Sequence, residues 1–98
     1  MKATLILRRR FVYGDGTFAE FVVWRVPAPV PPSVHAFKYR LVYVADGDRV
    51  IEFDNERGKG DHRHEGGTEH PYDFRDVETL LSDFVAAVEQ WRARHGQA

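Results

Sequence analysis

The stretch TLILRRRFVYGDGTFAEFVVWRV, residues 4–26, decides the fold. It contains two runs rich in β-branched and aromatic residues around an Asp-Gly pair, which is the strongest short-range signal for a β-hairpin. A two-residue turn at this pair places Tyr13 opposite Phe18. Leu7 then lies opposite Trp24, and both pairs share one face of the sheet. That face is the more apolar of the two, so we assign it to the core.

The rest of the chain extends this hairpin into a larger sheet and ends in a helix. Four strands are predicted, over residues 4–13, 17–26, 36–45 and 49–55, with the proline-rich segment PAPVPP between the two hairpins. From Asp76 onward, apolar residues recur at helical spacing as far as Trp91, and Asp76 is a suitable N-cap. A helix is therefore predicted over 76–94. The expected fold is a single α+β domain over 1–98, a four- to five-stranded antiparallel meander packed on one C-terminal helix.

Composition narrows the class of protein. The chain has 98 residues, enough for one hydrophobic core, and its 14 Lys and Arg nearly balance its 15 Asp and Glu. Nucleic-acid binding therefore cannot be argued from net charge and would need a locally basic face. The chain has no cysteine, which excludes disulfides and thiolate metal sites. No apolar stretch reaches the length of a signal peptide or a membrane span, so we expect a cytoplasmic protein.

The segment 54–71 differs sharply from the rest, because it is rich in glycine and histidine and almost free of apolar residues. We predict it to be a functional loop that follows the fourth strand, with at most a short strand around its first histidines. Histidine titrates near neutral pH and suits both proton-transfer roles of metal-free RNA cleavage, while cations stabilise charge that develops on phosphate. The candidate catalytic residues from this reasoning are His62, His64 and Lys59, and the family resemblance described below adds Asp54 and Asp61.

A second set of residues is predicted to contact RNA. Arg57 and Arg63 lie within the same loop, and Tyr72 follows it as a candidate lid. Arg8 and Arg10 lie on the outer face of the first hairpin, where cations interleaved with aromatic side chains are a pattern that holds single-stranded RNA. The aromatic residues expected on that face are Phe21 and Tyr39, together with the cations Arg25 and Lys38 or Arg40. A solvated face is the alternative.

Two other interpretations of the loop remain open at this point. His62-x-His64 with Asp54 or Asp61 nearby is a plausible set of metal ligands, which would suit a metal-dependent hydrolase. The same glycines and short polar side chains also suit a structural turn, in which case the chain would be a binding module without catalysis.

Four runs of the sequence resemble one family. GDGTFAEFVVWRVP (14–27), FKYRLVYVADG (37–47), FDNERGKGDHRHEGG (53–67) and EHPYDF (69–74) are similar to the TumE family of toxins from toxin–antitoxin systems. The resemblance covers residues 5 to about 91, and its most specific part is the polar run that begins at Asp54. It implies a small cytoplasmic toxin that acts as a ribonuclease on cellular RNA, with no cofactor and no metal. It also implies a cognate antitoxin with a helix-turn-helix domain. Within the toxin–antitoxin complex, a homodimer of the toxin is one possible composition.

Overall fold

The computed structural model describes residues 2–96, which form an antiparallel sheet of six strands and one helix. Strands that follow one another in the chain are neighbours in the sheet, so the predicted α+β meander with a C-terminal helix is confirmed. The predicted count of four to five strands was too low. The elements are β1 (Thr4–Val12), β2 (Phe18–Arg25), β3 (Phe37–Ala45), β4 (Asp48–Glu56), β5 (Gly60–Glu65), β6 (Thr68–Pro71) and α1 (Val77–Arg94).

The first hairpin has a different register from the predicted one. The Asp15 carboxylate accepts hydrogen bonds from the backbone N–H (3.0 Å) and the hydroxyl (2.7 Å) of Thr17. These bonds build a connection longer than two residues, a role that aspartate side chains often play in turns. Val12 therefore pairs with Phe18. A shift of one residue moves every side chain of the second strand to the other face, so Trp24 points away from the core.

The segment 54–71, predicted as a loop, is mostly β structure. β4 continues to Glu56, a tight turn reverses the chain, and β5 begins at Gly60, where φ is +76°. Gly66 and Gly67 join β5 to β6 as a two-residue connection, and both have positive φ. Such a backbone is what short hairpins need and what glycine adopts without strain. The polar side chains of this segment are therefore held on paired strands.

The helix covers one face of the sheet and completes the core. Asp76 caps it by accepting a hydrogen bond from the Thr79 N–H at 2.7 Å, as predicted. Phe84 packs edge-to-face on Phe53 of β4, with ring centroids 5.5 Å apart. Val85 of the same helix is exposed. The most deeply buried apolar residues include Val23, Tyr39, Leu41, Tyr43, Ile51, Phe53, Leu80, Phe84 and Val88.

Alternation along the strands gives the sheet two distinct faces. The helix face packs against α1. We call the other side the open face. The strand register and the clefts in this surface place on it Phe18, Val22, Trp24, Lys38, Arg40, Glu52, Asp54, His62 and His64, with Arg8 and Arg10 at its β1 edge.

Candidate active site

Strand pairing brings the central candidate residues together. Asp54 on β4 lies directly opposite His62 on β5, and the neighbouring pair on the same face is Glu52 and His64. Directly opposed side chains in antiparallel strands are about 5 Å apart at Cβ, close enough to interact. The open face therefore carries two imidazoles and two carboxylates side by side.

The Asp54–His62 pair is close and buried. Asp54 Oδ1 lies 2.6 Å from His62 Nε2, and the two side chains are only 9% and 5% exposed. The approach is not a well-directed hydrogen bond, and no partner within residues 2–96 satisfies Asp54 Oδ1 in that way. Burial raises the pKa of the Asp54 carboxyl, although the positive charges of His62 and Lys38 partly offset this. Asp54 is thus a carboxylate whose affinity for a proton has been increased.

The proton arrangement on His62 follows from its second ring nitrogen. Nδ1 lies 3.0 Å from the Gly60 carbonyl oxygen, which can only accept a hydrogen bond, so Nδ1 carries a proton. The other nitrogen, Nε2, faces Asp54 Oδ1 at 2.6 Å, so both nitrogens of His62 are engaged.

His64 and two exposed charged side chains surround this pair. The rings of His62 and His64 lie 5.2 Å apart, edge to face. Glu69 on β6 lies near both imidazoles. Its Oε1 is 3.9 Å from His62 Nε2, and its Oε2 is 3.9 Å from His64 Nε2. Lys59 Nζ lies 3.1 Å from Glu69 Oε1, and this contact raises the pKa of Lys59 and lowers that of Glu69. Lys59 is thereby held at the rim of the site.

Asp61 is not brought together with His62, because consecutive residues of a strand point to opposite faces. Its carboxylate accepts hydrogen bonds of 2.7 Å from the Ser33 hydroxyl, the Tyr39 hydroxyl and His35 Nε2. Burial alone would raise its pKa, but these hydrogen bonds lower the pKa of Asp61 below its ordinary value. Asp61 therefore anchors the segment after the prolines to the helix face of the sheet.

Arg63 and Tyr72, predicted to contact RNA, also lie on the helix face. The Arg63 guanidinium stacks over the Phe53 ring at 4.7 Å and pairs with Glu65. The Tyr72 hydroxyl donates to Asp83 of α1 at 2.7 Å, and burial together with this bond raises its pKa. Tyr72 therefore ties the sheet to the helix, Arg63 packs on the sheet itself, and neither lines the open face.

The other predicted RNA contacts remain exposed. Arg57 lies in the turn between β4 and β5. Arg8 and Arg10 project from β1 onto the open face, with the Arg10 guanidinium 4.1 Å from the Phe18 ring centroid. The prediction that Phe21, Tyr39 and Arg25 lie beside these arginines was wrong. Phe21 and Tyr39 pack on the helix face, and Arg25 lies over Phe37 on that same face. Phe18 and Trp24 take the aromatic positions on the open face.

A cleft in the open face leads to the candidate site. Its volume is about 490 Å³, and Asp54 and His64 line its end over β4 and β5. Val22 and Trp24 form its apolar part. Its other lining residues are Lys38, Tyr39, Arg40, Arg49, Glu52 and Glu56. The volume is within the usual range for ligand-binding sites, but most residues that line this cleft are charged.

Comparison with protein-family models matches residues 2–92 to the model described as Toxin TumE. The chain belongs to the TumE toxin family. The resemblance predicted from sequence is therefore confirmed over nearly the whole chain. Comparison with curated proteins and with solved structures found no match. Family membership implies an antitoxin partner in general terms. No helix of the described TumE-family chain is long and apolar enough to cross a membrane.

The TumE-family site also contains groups that could bind a divalent metal. Two sets of three residues, which share His62, each offer three ligand atoms within 4.8 Å of one another. The first set is His62, His64 and Glu69, and the second is Asp54, Glu56 and His62. Imidazole nitrogen with carboxylate oxygen is a common donor set for zinc and related metals.

Two residues of this site, Glu69 and Trp24, were missed as candidates for its chemistry. Glu69 lay inside the predicted loop, but it reaches His64 only because β5 and β6 form a hairpin, and the glycines at positions 66 and 67 were the sequence signal for that hairpin. Trp24 was assigned to the core, and only the shifted register of β2 places it on the same face as Asp54. Lys38 was expected among the cations of the outer face and lies on the open face.

Proposed function

We propose that this TumE-family toxin is a ribonuclease that cleaves cellular RNA without a metal ion or other cofactor. The observation that carries the proposal is the buried Asp54–His62 pair, with 2.6 Å between carboxylate and imidazole, at the end of a cleft that His64 also lines. Carboxyl groups with a raised pKa and imidazoles are suited to proton transfer near neutral pH.

The geometry favours Asp54 and His64 as the groups that meet the substrate. Both line the cleft, whereas the two nitrogens of His62 are occupied by Asp54 and the Gly60 carbonyl. His62 is therefore assigned as a positioning residue, which holds the carboxylate of Asp54 in place. Asp61, on the helix face, is assigned a structural role.

The reaction that fits these groups is an internal transesterification of RNA. Asp54 takes the proton of a ribose 2′-hydroxyl, and that oxygen forms a bond to the adjacent phosphorus. The bond between phosphorus and the 5′-oxygen breaks, and protonated His64 donates a proton to the departing oxygen. The products are a 2′,3′-cyclic phosphate and a 5′-hydroxyl, and no co-reactant is consumed. Lys38 and Lys59 supply positive charge beside the phosphate.

Binding of the RNA chain and of the antitoxin completes the proposal. Arg8, Arg10 and Arg57 remain exposed and are available to RNA phosphates. Family membership supports a cognate antitoxin, for which we propose a helix-turn-helix domain and a complex in the cytoplasm that contains one toxin or a toxin homodimer. The size of the purified complex distinguishes these two compositions.

The test compares purified wild type with His64→Ala on a labelled single-stranded RNA. His64 is partly exposed, so its truncation should leave the fold intact. Loss of a general acid should lower the cleavage rate constant by about 100-fold or more. The matched control is His70→Ala, an exposed histidine of β6 that lies opposite Arg63, and it should cleave at the wild-type rate. Cleavage by His64→Ala at the wild-type rate would overturn the assignment.

The same idea can be tested in cells. Inducing the wild type without antitoxin should fragment cellular RNA, whereas the His62→Ala/His64→Ala variant should leave it intact. Growth arrest with intact RNA would contradict the ribonuclease proposal and favour a non-catalytic module that blocks its target by binding.

One observation favours a second candidate, a metal-dependent hydrolase. The His62, His64 and Glu69 ligand atoms lie within 4.8 Å of one another, close to a metal-binding arrangement. Chelation distinguishes the two reactions. Full cleavage with excess chelator supports the metal-independent reaction, and loss of cleavage that added zinc restores supports the metal-dependent one.

A further inference from the structure

Trp24 has an unusual position for a tryptophan in a small domain. It lies on β2 opposite Lys38, on the open face, and is only half-buried. The second tryptophan, Trp91, packs on the core, with its ring 5.5 Å from that of Tyr43. Within residues 2–96, no aromatic ring or cation stacks on the indole of Trp24, so its ring is available to a ligand.

The cleft connects this indole to the proposed reacting groups. Trp24 and Val22 line one end, and Asp54 and His64 line the other. Asp54 lies two strands away from Val22 in the register, a separation of roughly 10 Å at the usual spacing of strands. A volume of about 490 Å³ is sufficient for a small ligand that extends between the two ends.

The charges along the cleft suit a phosphate between its two ends. Lys38 lies opposite Trp24, and its ammonium donates to the backbone carbonyl of Asn55, beside Asp54. The negative charge of Glu52 is matched by Arg40, whose Nε lies 2.7 Å from Oε2. A phosphate at Lys38 would therefore face a cation, and the Glu52 carboxylate would not repel it strongly.

We infer that one nucleobase of single-stranded RNA stacks on the indole of Trp24. Lys38 binds the phosphate next to that base and so places it beside Asp54 and His64. This inference rests on the proposed function and adds the substrate class, which is unpaired RNA. Bases in a duplex are stacked on one another and are not available to an indole. Every base has a flat π-face, so stacking here does not select one base over another.

The test measures binding separately from cleavage. The probe is a short fluorescein-labelled 2′-O-methyl oligoadenylate, which lacks the attacking hydroxyl, and fluorescence anisotropy reports its dissociation constant. Trp24→Ala should weaken binding by about 10- to 100-fold. The matched control is Phe11→Ala, an exposed aromatic residue of β1 that pairs with Ala19 and so lies on the opposite face of the sheet, and it should retain the wild-type affinity.

A second measurement does not depend on truncation. An unlabelled oligoadenylate should quench the tryptophan emission of the wild type, and the quenching should be lost in Trp24→Phe, where Trp91 alone remains. Unchanged affinity of Trp24→Ala, or quenching that persists in Trp24→Phe, would overturn the stacking assignment and leave the ribonuclease proposal standing. The absence of any RNA binding by the wild type would overturn both.

Discussion

Replacing Asp54 with asparagine should remove RNA cleavage and leave the fold intact. The amide has nearly the same shape as the carboxylate but does not take up a proton near neutral pH. Because Asp54 is assigned to remove the 2′-hydroxyl proton, the cleavage rate constant should fall by about 10²- to 10⁴-fold.

The effect on stability can be worked from the geometry of the pair. At 2.6 Å, two unit charges in an effective dielectric of about 20 attract by about 6 kcal/mol. Removing two ions from water costs several kcal/mol for each, so the terms nearly cancel. The substitution also leaves a polar side chain of nearly the same shape opposite His62. We expect the free energy of unfolding to change by no more than about 1 kcal/mol.

The sign of the pH dependence follows from the raised pKa of Asp54. A carboxyl whose pKa is higher in the folded state contributes stability that is fully present below its unfolded value of 3.8 and is lost as the pH rises through the folded value. The asparagine that replaces it does not titrate. The stability of Asp54→Asn relative to wild type should therefore increase as the pH rises through this window and then level off.

Urea unfolding followed by tryptophan fluorescence, at several pH values, checks the stability, and cleavage of labelled RNA checks the activity. The matched control is Asp73→Asn, an exposed aspartate 3.9 Å from Arg75, which should change neither. Wild-type cleavage by Asp54→Asn would refute the assigned proton transfer. A stability loss of about 3 kcal/mol or more would show that the pair holds the fold together.

Two further predictions concern the residues that support the site. Asp61→Ala should lower the free energy of unfolding by about 3 kcal/mol in a urea titration, because three hydrogen-bond donors lose a charged acceptor; a loss under about 1 kcal/mol would contradict this. The pKa of Asp61 is lowered, so its stabilisation is present above pH 3.8 and is lost as the pH falls through the folded value, a dependence that Asp61→Asn should abolish. Gly60→Ala should destabilise more than Gly58→Ala, because both have positive φ but only at Gly60 does an added Cβ come within 3.0 Å of Pro32. The Gly58 change alone should cost about 1 kcal/mol in thermal or urea unfolding, and equal losses at the two sites would show that the Pro32 contact is unimportant.

Local patterns were sufficient to predict the meander and the helix. The period of the apolar residues and the cap at Asp76 depend only on neighbours in the chain, and both were found in the structure. The face of β2 was not predictable in that way, because it depends on the length of one turn. The carboxylate of Asp15 lengthens that turn by bonding to Thr17, and the Asp-Gly pattern alone does not reveal this.

The candidate site was predicted as a cluster but not as an arrangement. Asp54, His62 and His64 were correctly expected to lie close together, because the chain is short and glycine-rich between them. Treating the segment as a loop concealed its alternation, so Asp61 and Arg63 were grouped with residues that lie on the opposite face. Side-chain direction is determined by strand pairing, which depends on distant parts of the chain.

The helix on only one face of the sheet has a consequence for how this protein can evolve. Residues that hold the fold, such as Phe53 and Phe84, lie on the side opposite to Trp24 and His64. Effects of substitutions at sites that are far apart and share no partners are usually additive. Substitutions that alter what the open face binds can therefore accumulate with little loss of stability, and a compensating change in the core is not required for each of them.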